Sequence, residues 1–273
     1  ASPSSGSSAV AAMVGLGLGM VLYMFLMIYG AMVMQSVIEE KSSRVLEVVV
    51  SSVRPFELMM GKIFGVASVA VVQVLIWAVL VCGAGTAVMP HVLPDGAMEA
   101  AAALQQGGGA ATAAAGDFDP ETLGAIALAT DVSYLAMLFG YLLLFVVGGY
   151  LLYSAMFAAV GSAVDNAQDA AQLQTPIMIP IILAVIVEMS VLNDPNSPLA
   201  FWFSLIPFTS PVVMMARIPY GIPTWEIVLS LVLLYAAFVG MVWLSAKIYR
   251  VGIFMYGKKP TLREMFRWIR YKY

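Results

Sequence analysis

The stretch IEEKSSRVLEVVVSSVRPFELMMGKIFG, residues 38–65, is the one long charged passage between two strongly apolar ones. Plotted at 100° per residue from residue 40 to residue 54, its charged and serine side chains fall on one side and its valines and leucine on the other. This pattern predicts an amphipathic helix. Pro55 fits the first position of a second helix, with Glu57 in the favourable first turn. The segment therefore has the shape of a surface on which another molecule can push.

The composition of the whole chain is that of a membrane protein. The 273 residues are 62% hydrophobic and 11% charged, whereas a soluble domain carries about 25% charged residues. Apolar runs long enough to cross a bilayer predict five membrane helices, at residues 10–37, 58–88, 132–160, 176–192 and 225–248. The predicted fold class is therefore an all-α membrane protein, in which residues 38–57 form the charged segment.

Three connecting segments complete this prediction. Residues 89–131 are rich in Ala and Gly and are interpreted as a solvated loop. Residues 193–224 are rich in proline and aromatic side chains, which favours an interfacial or re-entrant hairpin. In the basic tail, residues 249–273, Thr261 and Glu264 form a capping box that begins an amphipathic helix. We expect this helix to lie on an anionic leaflet or against a neighbouring protein.

The sequence of residues 39–65 resembles the cytoplasmic segment of type-2 ABC exporter permeases, especially those related to sodium-extrusion permeases. In that family the segment follows the second membrane helix and contributes to the coupling surface that meets the ATPase. The resemblance implies that the coupling surface of this chain is formed by Glu39, Glu40, Arg44, Glu47, Ser51, Arg54, Pro55 and Glu57.

The same resemblance implies partners for the chain. No G-x-x-x-x-G-K-[ST] phosphate-binding loop occurs in it, so a separate ABC ATPase subunit is expected to hold ATP and Mg. A second permease copy or a related permease is expected beside it in the lipid bilayer, with no cofactor in this chain and no nucleic acid partner. Such permeases usually begin with another membrane helix and a large extracellular domain, so we expect the sequence to belong to a longer protein.

The distribution of cations predicts the orientation. Of the 13 Lys and Arg residues, only Arg217 lies outside residues 41–62, the end of the last apolar run and the tail. The positive-inside rule places these three regions, and hence the C-terminus, in the cytoplasm. The expected location is the cytoplasmic (inner) membrane of a bacterium, with substrate moving outward.

Two polar residues inside apolar runs are candidates for the substrate path. A carboxylate such as Glu188 is costly within a membrane and is by default a functional candidate, although it also lies close enough to the outer interface to reach it and snorkel. Gln73 is predicted to line the path or to form an interhelical hydrogen bond. Sodium, a drug, a peptide and a lipid are all compatible with the sequence as exported substrates.

Two other functions were weighed. Glu39, Glu40 and Arg44 spell the E-E-x-x-x-R motif of glutamate-dependent intramembrane proteases, but the sole histidine, His91, is predicted on the opposite side of the membrane. A single histidine also makes a metal site unexpected. A secondary transporter would show internal repeats and broken helices. The chain has no evident repeat, although Pro176 and Pro180 could break a helix.

The predicted orientation can be tested by cysteine labelling after the only native cysteine is replaced by Cys82→Ala. An impermeant thiol reagent on intact cells should label Gly108→Cys and Ser197→Cys but not Ser42→Cys, because only the first two lie in outer loops. Labelling at position 42 with protection at position 108 would reverse the orientation.

Overall fold

The computed structural model describes residues 5–43, 53–88, 91, 93, 96–105, 120–255 and 261–268. All regular secondary structure in these ranges is helical. The α-helices, numbered in chain order, are α1 (Ser5–Ser42), α2 (Pro55–Ala87), α3 (Ala97–Gln105), α4 (Pro120–Thr130), α5 (Val132–Ala163), α6 (Ala167–Val191), α7 (Pro198–Leu205), α8 (Ser210–Arg217), α9 (Thr224–Gly252) and α10 (Leu262–Trp268).

Five of these helices, α1, α2, α5, α6 and α9, are long and apolar enough to cross a membrane. Each contains at least 25 residues, and about 20 suffice to span the hydrocarbon core. The predicted all-α membrane fold is confirmed. The helices alternate in direction, so the end of α1, the start of α2, the α5–α6 turn and the end of α9 lie at one end of the bundle. This end carries Lys41, Lys62 and Arg250 and is called the basic end.

The fourth membrane helix differs from the sequence prediction at its start. It begins at Ala167 rather than at Pro176, and it continues through Pro176 and Pro180. Membrane helices tolerate internal prolines because neighbouring groups satisfy the freed backbone carbonyls. The cap is Asn166, whose side chain accepts a hydrogen bond of 2.9 Å from the Asp169 amide.

The centre of the bundle is α5, which is packed against each of the other four long helices. Glycines permit the closest approaches. A Cβ atom on Gly161 would lie 2.8 Å from the Met34 carbonyl oxygen of α1, and one on Gly149 would lie 3.0 Å from Leu26 and Pro211. These positions use the small-residue packing typical of membrane helices. By contrast, a Cβ atom on Gly140 would have no such neighbour within 4 Å.

The proline-rich segment forms a re-entrant hairpin, one of the two forms predicted for it. Helices α7 and α8 enter the bundle from the end opposite the basic end, and all eight residues of α8 are buried. Pro211, at the start of α8, packs beside Gly149 in the middle of α5. Non-helical backbone at this depth is tolerated because protein rather than lipid surrounds it.

The interpretation of residues 89–131 as a loop is partly wrong. The segment contains α3 and α4, which pack together through the small apolar side chains of Ala97, Ala101, Ile126 and Ala127. The high alanine content of this segment favours helix, since alanine has the highest helix propensity.

The tail contains the predicted capped helix. The Glu264 carboxylate accepts a hydrogen bond of 2.9 Å from the Thr261 amide, and α10 begins at the next residue. Met265 and Trp268 are buried in the main core. The apolar side of α10 that these two residues form therefore packs against the bundle itself and does not simply rest on the bilayer.

Candidate functional site

Two adjacent side chains at the end of α1 reach all four of the other long helices. The first is Lys41, which is fully buried. Its ammonium donates hydrogen bonds to the carbonyl oxygens of Ser162, at 2.8 Å, and Gly252, at 2.9 Å. It also lies 3.2 Å from a carboxylate oxygen of Asp165, in the turn before α6. One side chain thus joins α1 to the ends of α5 and α9 and to the start of α6.

The placement of the Lys41 ammonium has a simple electrostatic basis. Ser162 and Gly252 lie in the last turns of α5 and α9, where carbonyl groups lack intrahelical partners and carry partial negative charge. A lysine has three donors, and three oxygens surround this one. Gly252 is required for the approach, because a Cβ atom there would lie 2.8 Å from the Ser162 hydroxyl oxygen.

The second side chain is Glu40, whose carboxylate lies 2.6 Å from the Lys62 ammonium on α2. Lys62 also donates a hydrogen bond of 2.8 Å to the Ser36 hydroxyl. Both of these partners of Lys62 lie on α1. Glu40 therefore joins the end of α1 to α2, just as Lys41 joins it to α5, α6 and α9.

The remaining residues of the predicted coupling surface divide into two groups. Glu39, Arg54 and Glu57 are exposed at the basic end. Pro55 occupies the first turn of α2 as predicted, and the Glu57 carboxylate accepts a hydrogen bond of 3.4 Å from the Arg54 amide. Arg44, Glu47 and Ser51 lie outside the residues that the structure describes.

A second buried charge cluster lies at the opposite end of the bundle. The Arg217 guanidinium, 1% exposed, is 2.9 Å from the Glu226 carboxylate at the start of α9. It donates hydrogen bonds to the Ser204 hydroxyl, at 2.6 Å, and to the Pro195 carbonyl, at 2.8 Å. These contacts join the hairpin to the start of α9 and to the connection that follows α6. The signal for this cluster in the sequence was the isolation of Arg217 from every other Lys and Arg residue.

Glu188, the first candidate for the substrate path, is completely buried in α6. Its carboxylate lies against Gly19 of α1, where any residue with a Cβ atom would overlap it. Neither carboxylate oxygen has a hydrogen-bond partner. The alternative that Glu188 snorkels to the outer interface is therefore wrong. A glycine of α1 provides the space for this carboxylate, so the α1–α6 contact depends on both residues.

Gln73, the second candidate, lies on α2 and accepts a hydrogen bond from the Tyr29 hydroxyl of α1. The structure therefore gives it an interhelical hydrogen bond, as one of the two sequence interpretations expected. A further hydrogen bond, of 2.8 Å, runs from the Tyr150 hydroxyl of α5 to the Ile63 carbonyl of α2. Hydroxyl groups thus link α2 to both α1 and α5.

The geometry does not support a protease site. Glu40 lies beside Lys62 near the first turns of α2, whereas His91 follows the last turn of that helix. A helix rises about 1.5 Å per residue, so the 33-residue α2 separates the two ends by roughly 50 Å. Across the described parts of the chain, no group of three His, Cys, Asp or Glu side chains could hold a metal ion.

Comparison with known proteins gives one family and two relatives. The model of the family "ABC-2 family transporter protein" matches residues 3–247. The chain is 27% identical over 246 residues to "Uncharacterized protein YhaP" of Bacillus subtilis, a match covering 90% of this chain and 52% of that protein. It is also 27% identical over 254 residues to "Uncharacterized protein MJ1024" of Methanocaldococcus jannaschii, covering 92% and 52% of the two chains.

The chain thus spans about half the length of these curated relatives. No solved structure matches it.

The role of Lys41 can be measured by the substitution Lys41→Met, which keeps an unbranched side chain but removes the donors. We expect a loss of about 1–3 kcal/mol for each buried carbonyl left without a partner, seen as a lower unfolding temperature of the purified protein in detergent. The matched control is Lys247→Met in α9, because the Lys247 ammonium contacts only the Trp243 ring, at 3.8 Å, among the contacts described for it. Equal unfolding temperatures for the two variants would show that Lys41 is not a structural tie.

Proposed function

Because the chain belongs to the ABC-2 family of transporter proteins, we propose that it forms the membrane-spanning permease part of an ATP-driven exporter. A separate ATPase subunit supplies the energy, and substrate moves outward. The observation that carries this proposal is the pair Glu40 and Lys41, which joins the end of α1 to all four other long helices.

The mechanical argument follows from chain connectivity. The charged segment begins where α1 ends, and it returns to the bundle at Arg54 and Pro55, where α2 begins. A partner that displaces this segment moves Glu40 and Lys41 directly. Through Ser162, Asp165 and Gly252 the displacement reaches α5, α6 and α9, so one docking event can change the arrangement of the whole bundle.

The coupling surface proposed for this docking is the one named from the sequence, with Glu39, Arg54 and Glu57 as its exposed described members. The partner ATPase would hold ATP and Mg, since this chain contains no G-x-x-x-x-G-K-[ST] loop. A second copy of the permease or a related one would complete the pathway. The proposed location is a bacterial cytoplasmic membrane, with the basic end and the C-terminus in the cytoplasm.

Glu188 is proposed to belong to the outward path or its gate. Its carboxylate is closed off by α1 at Gly19 and has no hydrogen-bond partner. An unpaired buried polar group is costly, so the closed arrangement holds this group in an unfavourable position. Separation of α1 from α6, driven from the basic end through Lys41 and Asp165, would release the carboxylate to contact water or substrate.

The coupling proposal is tested by the double charge reversal Glu39→Lys with Arg54→Glu. Both side chains are exposed and the net charge is unchanged, so the fold should persist. A docking surface should lose complementarity, because like charges brought together at an interface oppose association. The measurements are co-purification of the ATPase and its substrate-stimulated hydrolysis at equal permease levels.

A second pair, Arg44→Glu with Glu47→Lys, tests the part of the segment outside the described residues in the same way. The control is Asp194→Asn, an exposed change at the opposite end of the bundle, which should leave recruitment unchanged. If both doubly reversed proteins recruit the ATPase and stimulate its hydrolysis as wild type does, the coupling surface is assigned to the wrong residues.

The Glu188 proposal is tested by Glu188→Gln, which keeps the size of the side chain and removes its charge. We expect normal membrane insertion and reduced transport, because the released group would no longer offer a carboxylate to the path. Gln73→Leu is the comparison variant, because the Gln73 side chain already accepts a hydrogen bond from Tyr29, whereas the Glu188 carboxylate has no partner. Wild-type transport by Glu188→Gln at every substrate concentration would contradict a role in the path.

A further inference from the structure

The polar contacts of α1 are distributed unevenly along the helix. Near the basic end, Glu40 and Lys41 join α1 to α2, α5, α9 and the turn before α6, and toward the middle the Tyr29 hydroxyl donates a hydrogen bond to α2. Within the described part of the chain, no hydrogen bond or ion pair joins residues 5–28 to another helix. These residues are called the distal part of α1, and residues 29–42 are its proximal part.

Close packing also holds the proximal part in place. A Cβ atom on Gly30 would lie 2.5 Å from the Phe157 ring of α5, and the Met34 carbonyl lies against Gly161 of the same helix. The proximal part is therefore attached to α5 by packing as well as by polar contacts, and to α2 and α9 by polar contacts.

The distal part meets α6 and α8 at two glycines that lie one helical turn apart. Gly15 lies against the backbone carbonyl of Ala216 in α8, and Gly19 lies against the Glu188 carboxylate of α6, so that a Cβ atom at either glycine would overlap these groups. Helices in a membrane associate through van der Waals packing and interhelical hydrogen bonds, because lipid provides no hydrophobic driving force between them. Of these two contributions, the described contacts of the distal part supply only packing.

The hairpin on the other side of the Gly15 contact is attached by polar groups. Arg217 joins it to the start of α9. The Ser230 hydroxyl of α9 donates a hydrogen bond of 2.7 Å to the Ser204 carbonyl of α7, and the Tyr153 hydroxyl of α5 donates one to the Phe208 carbonyl. The hairpin is therefore held to both α5 and α9, whereas the distal part of α1 is held by packing alone.

We propose that the distal part of α1 is the moving side of the outward gate and that the hairpin is its fixed side. In this arrangement α1 turns about Tyr29 and Gly30, where its attachment ends. At about 1.5 Å per residue, Lys41 lies about 18 Å from Tyr29 along the helix, and Gly19 lies about 15 Å from it on the other side. A displacement at the basic end is thus carried to the Glu188 contact with nearly the same amplitude.

The gate role rests on the proposed function, because it assumes that an ATPase displaces the basic end. The unequal attachment of α1 does not need that assumption, so it is tested without the ATPase by inserting a wedge. Gly15→Leu places a side chain against the Ala216 carbonyl, so that either α1 or α8 must move. Gly17→Leu is the matched control, because it adds the same side chain at an exposed position where a Cβ atom has no neighbour within 4 Å.

Pairs of spin labels show which element moves. One label is at Val239→Cys in α9, and the other is at Met13→Cys for the distal distance, Met32→Cys for the proximal distance or Trp202→Cys for the hairpin distance. Each of these four side chains is at least 50% exposed, so the labels should not disturb the packing. The background is Cys82→Ala, and double electron–electron resonance measures the three distances in the purified protein in lipid nanodiscs.

In Gly15→Leu the distal distance should shift, whereas the proximal and hairpin distances should stay as in wild type. Gly17→Leu should leave all three distances unchanged. If the leucine variant does not fold, Gly15→Ala is the milder wedge and should give a smaller shift of the same kind. A shift of the hairpin distance, or of the distal and proximal distances together, overturns the proposal, as do three unchanged distances in a folded wedge variant.

The gate role is measured on the complex with the ATPase. During ATP hydrolysis the distal distance should shift and the hairpin distance should not. If the wedge shifts the distal distance but hydrolysis does not, the gate role is overturned, although ATPase coupling itself is not. Failure of the chain to bind an ATPase would contradict the proposed function and the gate role with it, whereas the wedge result is independent of that outcome.

Discussion

The burial of a single ammonium group, that of Lys41, organises the basic end of the bundle. Helix ends inside a membrane protein leave carbonyl groups that must find donors. The ends of α5 and α9 find theirs in Lys41, which lies on a third helix, and Asp165 adds the counter-charge from the start of α6. The adjacent Glu40 extends the arrangement to α2. The five long helices therefore meet at one polar point at this end of the bundle.

The number and order of the membrane helices were predictable because hydropathy and length carry that information in each segment by itself. Local caps were also readable, as Thr261 with Glu264 and Pro55 demonstrate. Asp165 shows where such reading fails. Asn166 caps α6, whereas the carboxylate of its neighbour Asp165 pairs with Lys41. The choice depends on a side chain 124 positions away along the numbering (165 − 41 = 124), which no local pattern contains.

The candidate site was predictable in location but only partly in its residues. Charge periodicity identified Glu40 and Arg54, and the family resemblance added Glu39, yet neither gave Lys41 a role. Periodicity reports which side a residue occupies, not whether a partner buries it there. Glu188 is similar, because an acid in an apolar run signals a special position but does not reveal the glycine of α1 that accommodates it. The small helices α3 and α4 were missed because alanine-rich sequence was judged by core size rather than by helix propensity.

The buried Arg217 constrains the order in which the protein can be assembled as it is synthesised. A buried charge without a partner is costly, and the partner of Arg217, Glu226, lies at the start of α9, which follows it in the chain. Helices α7 and α8 emerge before that carboxylate is in place. Their stable entry into the bundle therefore depends on α9, which is synthesised after them, so the hairpin closes late in the biogenesis of this part of the protein.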